Sequence, residues 1–192
     1  MPRDDSVVFE QWQRLLDIPK STFDYPTWEF LQLVYDNRDA AKPSLKSRSA
    51  QRMQLLVQLA DNYDIALEGV RVRFYVWADR PMEDITVIFE VLHLERWTVI
   101  TRIDFLPYGP HINKHWRKFG LPPDVNGSHI HSYKDNVKLG SEAFTAAGNL
   151  PNGVPLDDEP KSFREICRLV GQKLRIEGCE NLPMPEWNGS LL

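Results

Sequence analysis

Hydrophobic and polar positions alternate most cleanly in the middle of the chain. There Val70, Val72, Phe74 and Val76 are separated by Arg71, Arg73, Tyr75 and Trp77. A period of two marks a strand with one buried face. The runs Val70 to Ala78, Asp84 to Leu94 and Trp97 to Leu106 are joined by the short polar connections Asp79-Arg80-Pro81-Met82-Glu83 and Glu95-Arg96. Connections of that length join antiparallel neighbours. The pattern predicts a three-stranded meander, to which a short strand within Gly127-Ser128-His129-Ile130-His131-Ser132-Tyr133 adds a fourth.

The flanks carry a helical period instead. Ser6 caps a predicted helix with apolar Val8, Phe9, Trp12, Leu15 and Leu16, ended by Pro19. The segment Thr27 to Tyr35 fits helix or strand. Pro43 and Ser44 open a predicted helix reaching Asp61, with Ala50, Met53, Val57 and Ala60 on one stripe beside Leu56. Asp158 or Glu159 stands at the cap of a last helix, Pro160 to Leu174. Its Phe163, Ile166, Cys167 and Val170 recur at i, i+3, i+4, i+7, and Gly178 lies past its end. The expected fold is α+β, one domain over 1–192. It has a helical part (1–64), an antiparallel sheet of about four strands (65–135), and a loop, helix and tail (136–192), with helices from both ends on one face.

Composition narrows the function. At 192 residues and 42% hydrophobic the chain buries a core without staples, and a net charge of −4 excludes a globally basic nucleic-acid binder. Two cysteines are too few for a disulfide framework. The start, MPRDDSVVFEQW, has no apolar leader region, and no apolar run approaches the roughly 18 residues of a membrane span. A cytoplasmic location with no membrane partner is expected.

Residues 107–160 change the texture, holding seven of the fourteen prolines and four of the five histidines. Long irregular stretches of this kind carry function or mobility. Arg102-Ile103-Asp104 enters the region, and Gly109-Pro110-His111-Ile112-Asn113 and His129 to Asn136 follow. In an extended segment His129, His131 and Tyr133 share a face, as do Arg102 and Asp104, with about 7 Å between alternate residues. That alternation places the His pair on an exposed or cleft-facing side. Imidazoles exchange protons near neutral pH, so His129, His131, His111, Arg102 and Asp104 form the candidate catalytic group. Asn113, Tyr133, Lys134, Lys114 and Arg117 are the candidate substrate-binding residues. Residues 110–138 hold five Lys/Arg against two Asp, a local +3 suited to phosphate, a nucleotide or nucleic acid.

The same side chains admit other readings. His129 and His131 with His111 or Asp104 supply three or four nitrogen and oxygen ligands for a transition metal. H-x-H on a strand is not specific for an ion and no cysteine supports one, so no metal ligand is assigned and the cofactor stays open. Alternatively Asp104 pairs with Arg102 or a histidine in a structural network. His93 faces with Ile85, Val87 and Phe89 and reads as a core or rim residue. Tyr75 and Trp77 beside Arg71 and Arg73 can stack bases or, as favoured here, pack beneath a helix.

In this order the pieces resemble a domain-of-unknown-function family of uncharacterised bacterial and phage proteins. Its pattern is R-[LI]-D, P-H-x-N, then G-x-H-x-H-x-Y and a closing helix. The matching positions are Arg102, Asp104, Pro110, His111, Asn113, Gly127, His129, His131 and Tyr133, and the resemblance covers about residues 85–175. The family continues after the tyrosine with R-E-G, where this chain has Lys134-Asp135-Asn136, and the stretch from Asn113 to Gly127 is longer here. The resemblance implies a prokaryotic or phage setting with mobile-element or toxin–antitoxin contexts. Two functions are expected, with a metal-dependent hydrolase as a third, weaker idea. One is a small toxin-like nuclease or phosphodiesterase. The alternative is a non-catalytic binding protein, an inhibitor or partner in a toxin–antitoxin, anti-defence or nucleoprotein system, using Asp157-Asp158-Glu159 and the Trp187 tail. Convergence on an accessible pocket favours the first, and a satisfied buried network the second.

Overall fold

A computed structural model describes residues 6–31, 52–80 and 82–186. In chain order the elements are α1 (Ser6–Asp17), β1 (Lys20–Thr22), β2 (Trp28–Phe30), β3 (Arg52–Ala60), β4 (Ala66–Trp77), β5 (Ile85–His93), β6 (Arg96–Phe105) and β7 (His111–Ile112). There follow α2 (Trp116–Phe119), β8 (Asp124–Val125), β9 (His129–His131), α3 (Tyr133–Asn136), β10 (Val154–Pro155), α4 (Phe163–Leu174) and β11 (Ile176–Glu177).

The class is α+β, but the sheet is much larger than a four-stranded meander. Nine strands run in the order β10-β9-β6-β5-β4-β3-β1-β11, with β2 also paired to β3. The pair β1 and β11 is parallel, so the sheet is mixed. A separate two-stranded ribbon joins β7 and β8. The expected meander is its centre, and the His-bearing strand adds to it beside β6.

The predicted helix reaching Asp61 is the main correction. Its described part is β3, a nine-residue strand laid along β4 from Arg52↔Trp77 to Gln58↔Arg71. Met53, Leu55, Val57 and Leu59 are buried, while Arg52, Gln54, Leu56 and Gln58 are not. Met53 and Val57 satisfy a helical stripe and a strand alternation equally. The twelve-residue β4 leaves a long open edge, and β3 fills it. The start of that predicted helix lies outside the described residues. In the Thr27 to Tyr35 segment, the described part contains β2.

Both long helices cover the same sheet face. Trp12 of α1 and Phe163, Ile166, Cys167, Val170 and Leu174 of α4 join one core with Val72, Phe74, Val87, Phe89 and Ile103. Phe163 lies 5.9 Å from Phe74, and Trp12 meets His93 edge-on at 5.6 Å, so His93 is a rim residue. The cap of α4 is Ser162, whose hydroxyl accepts from the Glu165 N–H, in place of Asp158 or Glu159. No described helix packs on Tyr75 and Trp77. Cations cover the aromatics of that face instead: Arg52 lies 4.4 Å from the Trp77 ring and Arg71 3.5 Å from the Trp97 ring. Arg71 and Arg73 both donate to the buried Glu90 carboxylate at 2.7 and 2.8 Å.

Among the described residues no helix is long and apolar enough to cross a membrane. The end of α1 is closed by Lys20, whose buried ammonium donates to the carbonyls of Leu15, Leu16 and Ile18 at 2.8, 3.3 and 2.7 Å. The last carbonyls of a helix have no partner within it, and this lysine supplies one. Lys20→Met keeps the apolar stem and loses the ammonium. It should lower stability by about 2 kcal/mol, read from urea unfolding. An effect below about 0.5 kcal/mol, the size of an ordinary surface change, would refute this role.

Candidate functional site

The site starts from strand register. β9 pairs antiparallel with β6 so that Arg102 stands opposite His131 and Asp104 opposite His129. Ile103 and Ile130, also opposite one another, turn to the core. The four polar side chains therefore share the other face. Thr86 of the neighbouring β5 donates its hydroxyl to Asp104 at 2.9 Å. Arg102 Nε donates to the same carboxylate at 2.9 Å, and its Nη2 lies 2.7 Å from His131 Nε2. His111 arrives on the β7–β8 ribbon. Its ring centroid is 4.4 Å from His131 and 5.4 Å from His129, and His129 and His131 are 5.0 Å apart. One ring nitrogen from each histidine lies within 4.8 Å of the other two.

A row of backbone carbonyls orients these groups. Arg102 donates to the Asn149 carbonyl at 3.2 Å, His131 Nδ1 to Leu150 at 2.7 Å, and His111 Nε2 to Pro151 at 3.0 Å. Asn136 and Asn113 donate to the next two, Asn152 and Gly153, each at 2.9 Å. His129 Nδ1 donates to the Gly127 carbonyl at 2.9 Å. A carbonyl only accepts, so each contact places a proton on that ring nitrogen. In the neutral rings, Nδ1 of His111 and Nε2 of His129 and His131 are then the bare nitrogens.

Gly153 is shaped to this cluster. A Cβ there would stand 3.0 Å from His111, 3.1 Å from His131 and 3.4 Å from His129. Its N–H donates to Asn113 Oδ1 at 2.7 Å, and its carbonyl receives Asn113 Nδ2. Asn136 and Asn152 form a matching reciprocal pair, with the Asn152 N–H donating to Asn136 Oδ1 at 2.9 Å. Asn149 and Leu150 hold φ of +48° and +50°. Left-handed backbone costs a branched-core residue such as leucine on the order of 1 kcal/mol.

All five candidate catalytic residues come together, though not as the alternation implied. His129 is 3% exposed and His131 0%, because the 149–153 segment roofs their face. The Arg102 and Asp104 side chains retain 15% exposure and His111 is half-buried, so the cluster meets solvent along that side. Asn113 and Tyr133 are corrected from substrate contacts to structural ones. Asn113 is fully buried, and its amide also donates to Pro122. The strand ends at His131, Ser132 caps α3, and the Tyr133 hydroxyl turns away to donate to the Phe9 carbonyl at 2.7 Å. Lys114, Arg117 and Lys134 are exposed, and no contact joins them to the histidines among the described residues. Gly153, Asn136 and Asn152 escape sequence reasoning, which marks Asn-Gly only as a turn.

Protonation follows burial. For His131, burial outweighs the nearby Asp104 and lowers the pKa from 6.5 to about 4. Burial also lowers His111. For Asp104, burial acts upward, but contacts with His129, His131 and the Arg102 guanidinium outweigh it, and the carboxyl lies well below its ordinary range. His131 takes a proton near 6.5 when unfolded and only near 4 when folded, so its effect is a loss of stability as pH falls from 6.5 to 4. Asp104, depressed when folded, adds a further loss as the unfolded carboxyl titrates near 3.8.

The urea midpoint of chelator-treated protein should therefore fall between about pH 7 and about pH 5, with a shallower fall in His131→Gln. A flat midpoint, or an equal slope in both proteins, would remove the buried neutral His131. Asn113→Ala orphans both backbone groups of Gly153 and should cost about 2 kcal/mol. A thermal unfolding midpoint within about 1 °C of the parent would contradict that role. Comparison with protein-family models, curated proteins and solved structures finds no match for the chain.

Proposed function

We propose that the histidine cluster is a hydrolytic site for phosphodiesters, and that the protein acts as a small nuclease or phosphodiesterase. The observation that carries this reading is the convergence of three anchored imidazoles, each with one bare nitrogen, beside a guanidinium. Bare nitrogens hold and activate water, and Arg102 offsets charge that develops on phosphorus. His111, half-buried, is the least buried of the three and the natural point of entry. Lys114 follows Asn113, which is pinned against the rings through Gly153, so chain connectivity keeps a cation beside the cluster. Arg117 and Lys118 extend that charge along the exposed α2.

Purified protein is to be assayed on single-stranded DNA, RNA, cyclic nucleotides and bis-p-nitrophenyl phosphate. Arg102→Gln and His111→Gln should each lower kcat at least about 100-fold. The double variant Lys114→Ala, Arg117→Ala should raise KM with little change in kcat. No hydrolysis of any of these, or full activity in His111→Gln, would sink the reading.

A second reading, a non-catalytic binding protein, draws on a different surface. Arg71, Leu92 and Trp97 line a hollow with Tyr25 and Leu56, and Leu92 and Trp97 are 49% and 40% exposed. Asp157, Asp158 and Glu159 are exposed as well. Under that reading, charge reversal at 157–159 weakens association in a pull-down while His111→Gln does not. The opposite pattern would exclude it.

A further inference from the structure

We infer that His111, His129 and His131 bind one divalent first-row transition metal ion, with Zn²⁺ as the reference case and Asp104 as a fourth, oxygen donor or a carboxylate just behind the ligands. This deepens the hydrolytic reading and rests on it for its catalytic consequence. Binding of the ion does not depend on any substrate.

The first argument is the donor set. Three nitrogens within 4.8 Å of one another lie close to what a single ion requires. Zn–N bonds of about 2.0–2.1 Å in a tetrahedron separate the nitrogens by roughly 3.4 Å, so the rings need to close by on the order of 1 Å. Imidazole nitrogen with one carboxylate and no thiolate suits Zn²⁺, Ni²⁺, Co²⁺ or Fe²⁺, and does not suit Mg²⁺ or Ca²⁺.

The second argument is orientation. Each ring donates one N–H to a backbone carbonyl, of Gly127, Leu150 or Pro151. Such outer contacts fix the tautomer and aim the bare nitrogen at a metal. A general acid–base pair has no need for three rings tethered in the same sense.

The third argument is the missing donor. Asp104 Oδ2 stands 3.4 Å from His129 Nε2 and 3.3 Å from His131 Nε2. With protons on Nδ1 alone, both nitrogens would turn lone pairs to a charged carboxylate oxygen, an arrangement that a shared proton or a bound cation relieves. Arg102 relieves one of these by donating to His131. His129, 3% exposed, has Asp104 Oδ2 at 3.4 Å as the neighbour of its Nε2. A second positive charge between the rings and the carboxylate resolves this array of acceptors. To complete the set at His131, Arg102 gives up that one contact and keeps those with Asp104 and the Asn149 carbonyl. A bound ion lowers the pKa of its water toward neutrality, which supplies the nucleophile of the hydrolytic reading without a protonated imidazole.

The test uses the whole chain, stripped of metal by chelator and dialysis, then titrated with ZnCl₂ and separately with CoCl₂. Calorimetry should give one ion per chain. Co²⁺ should develop the visible ligand-field bands of a nitrogen-rich site, and Zn²⁺ should raise the melting temperature. His111→Gln and His129→Gln should each weaken Zn²⁺ at least about 100-fold. Gly153→Ala removes no ligand and should weaken it at least about 10-fold by displacing the rings. Folding of each variant is checked by circular dichroism. Absence of a stoichiometric ion in folded parent protein, or binding that survives loss of both His111 and His129, would overturn the inference. One ion bound without phosphodiester cleavage upholds the metal site and refutes the hydrolytic reading. Equal cleavage by stripped and reloaded protein upholds the hydrolytic reading and refutes a catalytic part for the ion, while the titration alone decides the site.

Discussion

Five consecutive backbone carbonyls, Asn149 to Gly153, each accept a hydrogen bond from a different side chain, and the arrangement of the histidines hangs on that row. An irregular segment laid over a sheet face has no ladder to satisfy its polar groups, and leaving them unpaired under a roof is costly. Here the partners come from below and from the side: Arg102 and His131 from adjacent strands, His111 from the ribbon, Asn113 and Asn136 as buried crosslinks. The exchange works in both directions. The carbonyls are satisfied, and the donors lose their freedom to rotate or change tautomer. Left-handed Asn149 and Leu150 turn the first carbonyls of the row toward Arg102 and His131. Their backbone cost is offset by the bonds that result.

The sheet supplies what the row cannot, which is a fixed spacing. Its helix-covered face is mostly apolar, so outside two bulges the alternate side chains of β3 to β6 point the other way. That second face is polar yet largely closed. Glu90 is held between Arg71 and Arg73, and burial raises its pKa while Arg73 opposes the shift. Thr86 continues the polar path to Asp104, and Asp104 to the histidines. The strands carrying Arg102, Asp104, His129 and His131 are thus placed by the same core that α1 and α4 seal. Only His111 depends on a less regular element, which is why Asn113, two residues along, is tied to Gly153 so completely.

How much of this was legible depends on the range of the interaction. The β4–β6 meander, α1, α4 and the strand character of His129–His131 are local patterns, and each stands in the sequence as a period. The sequence of β3 reads as helix because Met53 and Val57 satisfy two periods at once, and only the open edge of β4 decides between them. Tyr133 was misplaced by carrying the alternation past Ser132, whose hydroxyl starts a helix instead. The grouping of Arg102, Asp104, His111, His129 and His131 was readable as a collection of chemistry. Its roof was not. The bonds from Asn113 to Gly153 and from His111 to Pro151 span 40 residues and follow no repeat.

That roof changes the chemistry that the spacing implied. An H-x-H pair on an open strand suggests an acid and a base, one ring protonated and one not. Enclosure penalises the protonated form, and for His131 it does so more strongly than Asp104 favours it. Arg102 adds to the bias, since a guanidinium donating to Nε2 needs a lone pair there. The buried charge is therefore divided between Arg102 and Asp104, and His131 is held as a neutral acceptor. A neutral acceptor beside a carboxylate takes a proton or shares a cation before it can give a proton up. Under the proposed hydrolytic reading the cluster's part is to activate water, and the proton for a departing alkoxide comes from solvent or from a group on the solvent side of His111.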